Sequence, residues 1–196
     1  MEEIKKIVGL LKKGKIIIFP TDTVYGLGCT LNEESIKLLY KIKKRPKNKP
    51  ALILVSSLSF AKKYGYFDSK TSALAQKIWP GPVTIIVKAK GNVPKLIQGK
   101  NSTIAIRVPK HQFLEKILNI LNEPLLAPSA NFSNRKPPSN LAQIDKNLIK
   151  LVDYVVTIKS GGNLPSTIID MSNKNKEMAV IREGSIKIRD LKGDIK

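Results

Sequence analysis

Several short stretches of this chain carry residue types suited to gripping phosphate and carboxylate groups. Lys43 and Arg45 stand two apart, just before Pro46. A guanidinium offers a planar fork of donors and an ammonium a compact charge, so the pair can converge on one anionic group where a helix breaks. Ser129 and Asn131 flank Ala130 after a short apolar run. Their small polar side chains and the neighbouring N–H groups suit phosphate oxygens or a ribose. Arg107 is the one charge in the run Thr103 to Val108, and a cation there either exits to solvent or meets a fixed anion. Ser166, Thr167 and Arg182 repeat the theme. The stretch Pro20-Thr21-Asp22-Thr23-Val24-Tyr25-Gly26-Leu27-Gly28, read as a polar turn opening into a loop, adds three oxygen-bearing side chains, a tyrosine and two glycines that permit close backbone approach. Each stretch alone also fits a plain role, a solvated charged surface or an ordinary polar connection.

Other chemistries find little support. Gly99-Lys100 is followed by Asn101, so no Walker-type loop is present, and no Rossmann glycine fingerprint follows the first strand. His111 is the sole histidine and Cys29 the sole cysteine, which leaves neither a zinc cluster nor an internal disulfide. His111, at an expected helix start, reads as a surface or capping residue, so a Ser-His-Asp triad is not supported. Trp79 and Cys29 read as packed core residues.

The elements that must position these groups alternate between two periodicities. Residues 2–13 carry a helical apolar stripe, and Ile16 to Phe19 read as a buried strand that ends at Pro20. Asn32 is an expected cap for a helix carrying Ile36, Leu39, Tyr40 and Ile42, and Pro46 ends it. A basic loop, Lys47 to Pro50, precedes a strand at 51–55. Ser57 and Ser69 are candidate caps, and the helix after Ser69 runs to Trp79 and the Pro80-Gly81-Pro82 turn. Strands at 83–87 and 103–108, a helix near 110–121 and a strand at 125–127 follow. A helix near 140–150 and strands at 152–158, 166–170 and 178–182 close the chain. This interleaving predicts an α/β fold, a single domain with a twisted, mixed, open sheet and flanking helices. The expected boundaries are a domain over 1–186 and a charged C-terminal tail over 187–196.

The chain has 196 residues, 35 Lys and Arg against 15 Asp and Glu, and a net charge of +20. That excess predicts attraction to polyanions: nucleic acid, nucleotide phosphates or an anionic membrane. A compositional bias toward lysine, solvating the surface, accounts for it equally well. No stretch approaches the ~20 apolar residues of a membrane span, and the N-terminus lacks the order of a signal peptide, so a cytoplasmic location is expected.

Taken together and in order, these stretches resemble the YrdC/Sua5 family of threonylcarbamoyl-AMP synthases. Besides 20–28, the matching segments are Lys43-Lys44-Arg45-Pro46, Trp79 to Thr84, Arg107-Val108-Pro109, Ala127 to Asn131, Pro165 to Asp170 and Ile181 to Gly184. The chain looks like the short, single-domain form. The resemblance implies a basic concave cavity and a reaction joining L-threonine, bicarbonate and ATP into threonylcarbamoyl-AMP and pyrophosphate, for the t6A modification of tRNA. It implies catalytic roles for Lys43, Arg45, Ser129 and Asn131. It implies threonine contacts at Thr21, Arg107, Ala127 and Ser166, and ATP contacts at Lys43, Thr103, Ser129 and Arg182. Mg2+ carried with ATP is expected, with no metal site of the protein's own. The implied partners are tRNA or double-stranded RNA and, downstream, a threonylcarbamoyl-transferase complex.

Two departures stand out. Longer members have a histidine on the strand after the Lys-x-Arg loop that touches threonine, whereas this chain reads Leu52-Ile53-Leu54-Val55. Asn134 stands where many relatives have glycine. A rival reading is a YciO-like RNA-binding protein without this activity, for which the charge of +20 speaks. The Lys43/Arg45 and Ser129/Asn131 elements favour the synthase.

Overall fold

Ile4, Ile7, Val8 and Leu11 fall on one face of α1 (Glu2–Lys12), and all four are buried. Glu2 and Glu3 in its first turn and Lys12 in its last suit the helix dipole. The computed structural model describes residues 1–46, 50–173, 178–187, 189 and 190. The expected basic loop at 47–49 and most of the expected tail beyond 187 therefore lie outside the described residues.

After α1 come β1 (Ile17–Phe19), β2 (Gly26–Gly28), α2 (Glu33–Ile42), β3 (Leu52–Leu54), α3 (Leu58–Ala61), α4 (Ser69–Ile78) and β4 (Val83–Lys88). They are followed by β5 (Thr103–Arg107), α5 (Gln112–Leu121), β6 (Leu125–Leu126), α6 (Lys146–Ile149), β7 (Tyr154–Val155), β8 (Thr167–Asp170) and β9 (Ala179–Arg182). The strands form a three-stranded sheet, β2-β1-β7, and a six-stranded sheet, β6-β3-β5-β4-β8-β9. Pairing is mixed, as expected: β1/β7, β3/β5 and β4/β8 are parallel, and the others antiparallel. Bridges between Cys29 and Leu126 and between Gly26 and Ser129 join the two sheets.

Alternation along the larger sheet divides its faces. Ile53, Ile85, Val87, Ile104, Ile106 and Ile169 are buried in one core with residues of α2 and α4. A second core packs α1 and α5 against β1 and β6. The opposite face of the larger sheet carries Leu52, Ile86, Ala105 and Ile168, which are only half-buried. That face is left for a site.

The caps follow their chemistry. Asn32 Oδ1 accepts from Glu34 N and Ser35 N, and Ser57 caps α3. Asp68, rather than Ser69, caps α4 through Thr71 N. The helix expected near 140–150 is two short pieces, a 3-10 turn at Leu141–Gln143 and α6. Asn140 caps the first and Asp145 the second, and each cap starts a new turn instead of extending one helix. Gly26-Leu27-Gly28, read as loop, is a strand. A Cβ on Gly28 would stand 2.5 Å from the Phe19 ring and 2.7 Å from the Leu126 carbonyl oxygen, so this glycine lets β1 and β6 close on β2.

Trp79 is a core residue, its Nε1 donating to Val83 O at 2.7 Å. Cys29 is buried, and burial pushes its thiol up to about 12, which keeps it protonated and inert. Among the described residues, no helix is long and apolar enough to cross a membrane.

Candidate active site

A cavity of about 510 Å³ opens over the half-buried face of the larger sheet, walled by the loop after β1 and the segment after β6. Its floor is hydrocarbon from Leu52, Ile86, Ala105 and Ile168. Among the described residues five cations line it, Lys43, Arg45, Arg107, Arg135 and Arg182, and none of the described lining residues is Asp or Glu. Nine of the ten residues expected in the site line this one cavity: Lys43, Arg45, Ser129 and Asn131, then Thr21, Arg107, Ala127, Ser166 and Arg182. Thr103 stands apart, at the start of β5, with its hydroxyl donating to Lys100 O at 3.0 Å.

Lys43 follows α2 directly and is 2% exposed. Its Nζ donates to the Ser129 carbonyl, to the Asn131 carbonyl at 2.5 Å and to Asn131 Oδ1 at 3.4 Å. Its own carbonyl accepts from Ser133 N at 3.0 Å and Ser133 Oγ at 3.2 Å. The two constellations read separately in the sequence are therefore one unit, with the ammonium clamping the 129–131 segment. Asn131 Nδ2 extends the clamp by donating to Phe132 O at 2.9 Å and Arg135 O at 2.6 Å. Arg45 donates to Pro50 O and lies over the Tyr40 ring, 5.7 Å from its centroid. Burial lowers its pKa, and Tyr40 acts in the opposite direction.

Asn134 has a φ of 67°, in the left-handed region. Asparagine is the side chain that best tolerates this conformation after glycine, so the loop keeps a backbone shape that glycine would also adopt. Asn134→Gly is expected to leave the melting temperature within a few degrees. Asn134→Val, β-branched at positive φ, is expected to cost about 1–3 kcal/mol in chemical denaturation.

Arg107 ends β5 and is 3% exposed. Nε donates to Gly81 O at 2.9 Å, Nη1 to Thr23 Oγ1 at 2.9 Å, and Nη2 to Asp22 Oδ1. Gly81 is presented by the Trp79-Pro80-Gly81-Pro82 turn, whose Gly81 N donates to Val108 O at 2.9 Å. A Cβ on Gly81 would lie 2.4 Å from the Ile78 carbonyl oxygen, so the turn needs glycine there. Burial pulls the Arg107 pKa down, while the charge and hydrogen bond of Asp22 push it back. The guanidinium stays protonated.

That fixed donor sets the direction of a hydroxyl chain. The Thr21 hydroxyl donates to Val24 O at 2.7 Å, which uses its single hydrogen. The 2.9 Å contact between the two threonine hydroxyls must then be donated by Thr23. Thr21 Oγ1 accepts that hydrogen and a second one from Thr23 N at 3.0 Å. The Thr21 hydroxyl is thus fully engaged, and what this residue offers an occupant is its methyl group and main chain.

Arg182 on β9 reaches back to Ser166, donating to its carbonyl from Nη2 at 2.8 Å and from Nε at 3.2 Å. Ser166 Oγ shares a 2.8 Å hydrogen bond with Thr84 Oγ1. The Arg182 pKa is lowered first by burial and then by the charge of Arg107. Two guanidinium groups therefore repel across the cavity, and an anion between them would relieve that repulsion. Leu52 and Leu54 of β3 line the cavity with hydrocarbon.

Sequence reading missed Arg135, Asn134 and Thr23 as lining residues and Asp22 as the partner of Arg107. Arg135 is exposed and paired with Asp145 at 2.8 Å. Its spacing four residues after Asn131 was the available signal.

Comparison with known proteins places this geometry. The Sua5/YciO/YrdC family model, described as telomere recombination, matches residues 9–184. A Methanocaldococcus jannaschii protein, named provisionally as a threonylcarbamoyl-AMP synthase, is 38% identical over 196 residues, spanning 97% of this chain and 91% of its own. The crystal structure of Pyrococcus abyssi Sua5 complexed with L-threonine superposes with a TM-score of 0.91 at 28% identity. It covers 98% of this chain, which spans 57% of the Pyrococcus protein. Escherichia coli YciO superposes with a TM-score of 0.87 at 27% identity, over 96% of this chain and 92% of its own. With the motif order, the two-sheet fold and a match over most of its length, this chain belongs to the Sua5/YciO/YrdC family.

Proposed function

We propose that the cavity joins L-threonine, bicarbonate and ATP into threonylcarbamoyl-AMP, releasing pyrophosphate. The observation that carries this reading is the convergence of nine side chains from separate stretches of sequence on one cavity with an apolar floor. The names of the curated relatives support it over an RNA-binding role without this activity.

Arg107 receives the threonine carboxylate, and Thr21 and Ala127 bound the amino-acid end. Bicarbonate loses hydroxide to give CO2, and the neutral amine of threonine attacks its carbon; one C=O bond opens, the amine gives a proton to that hydroxide to form water, and a carbamate is left. A carbamate oxygen then attacks the α-phosphorus, a new P–O bond forms, and the α–β bridge breaks to release pyrophosphate. Lys43, Arg45 and Arg182 offset the phosphate charge, while Ser129 and Asn131 hold the nucleotide. ATP enters as its Mg2+ complex. Catalysis by this arrangement is positioning and electrostatics rather than proton relay. We place the reaction in the cytoplasm, with the adenylate passing to a threonylcarbamoyl-transferase complex and tRNA as final acceptor.

The test is incubation with ATP, bicarbonate and labelled L-threonine. The adenylate should appear by mass spectrometry with one pyrophosphate per product. Tight RNA binding with no threonine-dependent pyrophosphate release would overturn the reading.

A further inference from the structure

Asp22 does not line the cavity, and in the sequence it reads as a turn residue. The structure gives it a specific neighbour. Asp22 Oδ1 accepts from Arg107 Nη2, with the two side chains 12% and 3% exposed. Asp22 Oδ2 is buried and has no hydrogen-bond partner among the described residues. Within hydrogen-bond reach, this carboxylate therefore serves one group, the guanidinium.

A guanidinium has five N–H bonds. Among the described residues three are engaged, one each on Gly81 O, Thr23 Oγ1 and Asp22 Oδ1. One N–H on Nη1 and one on Nη2 remain, and a carboxylate can take such a pair in a two-bond clasp. Gly81 and Thr23 are neutral acceptors. Asp22 supplies the one charged contact, and its ion pair sets which part of the fork stays open.

We propose that Asp22 is a positioning residue of the amino-acid site, holding Arg107 so that its two remaining N–H bonds receive the substrate carboxylate. The inference rests on reading Arg107 as the carboxylate receptor. Thr23 assists through the directed hydroxyl chain, which ties the same guanidinium to Thr21 and Val24.

The test is equilibrium titration of the full chain with two probes, L-threonine and L-threoninamide, which differ only at the carboxyl group. Wild type should bind threonine far more tightly than the amide. Asp22→Asn keeps the shape and removes the charge. It should weaken threonine at least tenfold, leave the amide within about twofold, and let Asp22→Glu restore most of the loss. In an Arg107→Ala background, Asp22→Asn should add nothing further to threonine binding. Equal weakening of both probes, or unchanged threonine affinity, overturns the proposal. A wild type that fails to tell the probes apart overturns the reading of Arg107 itself. Should Asp22→Asn melt too low to titrate, Thr23→Val carries the same comparison, with the same expected selectivity loss in smaller degree.

Discussion

Lys43→Ala is expected to lower threonine-dependent pyrophosphate release by on the order of 10²–10³-fold, the usual loss when a fixed charge-stabilising donor is removed from a reacting centre. Two effects add. The variant removes a cation from the cavity, and it releases the 129–131 segment, whose carbonyl oxygens the ammonium holds. Carbonyls left without a donor cost about 1–3 kcal/mol each when dry, and less here because Ser129 and Asn131 are half-buried and water can reach them. Lys43→Met keeps most of the side-chain stem and removes the ammonium, and with it both the charge and the hydrogen bonds, so it separates these from the loss of packing. Both variants should lose turnover alike, with the urea midpoint of Lys43→Met closer to wild type. Turnover within a few-fold of wild type in Lys43→Met would exclude Lys43 from the chemistry.

Arg107→Ala is expected to destabilise the fold by about 3–5 kcal/mol, because it leaves the Asp22 carboxylate buried without its cation. The measurement is urea unfolding. The double variant Asp22→Asn/Arg107→Ala should recover part of the loss, since it removes the stranded charge as well. Where Arg107→Ala still folds, its KM for threonine should rise more than its kcat falls. An unchanged urea midpoint would mean that solvent reaches Asp22 and that the pair does not anchor the loop after β1.

The sequence made the elements legible where local chemistry decides them. Asn32 before an apolar stripe, Pro46 after it and the β-branched runs at β1, β4 and β5 all stand where their side chains predict. It misled where tertiary contact overrides local preference. Gly28 looks like a loop residue until the Phe19 ring and Leu126 are seen pressed against it. Residues 140–150 carry a helical apolar pattern, yet Asn140 and Asp145 side chains compete for main-chain N–H groups and divide it. Of the site, the residue types could be read, because arginine inside an apolar strand and small polar residues at strand ends, each plain when taken alone, recur together in the order of the family's motifs. Their pairing could not be read. Asp22 and Arg107 are 85 positions apart, as the ion pair joins the loop after β1 to the end of β5, which meet only in the fold. The saturation of the Thr21 hydroxyl was likewise invisible, since it depends on which neighbour holds each hydrogen.

The grip of Lys43 falls mainly on main-chain oxygens rather than on side chains. Any amino acid supplies a carbonyl, so the partner positions can drift through evolution without breaking the contact. Searches for covarying pairs among homologues would then miss the coupling between Lys43 and residue 129, however strong it is energetically.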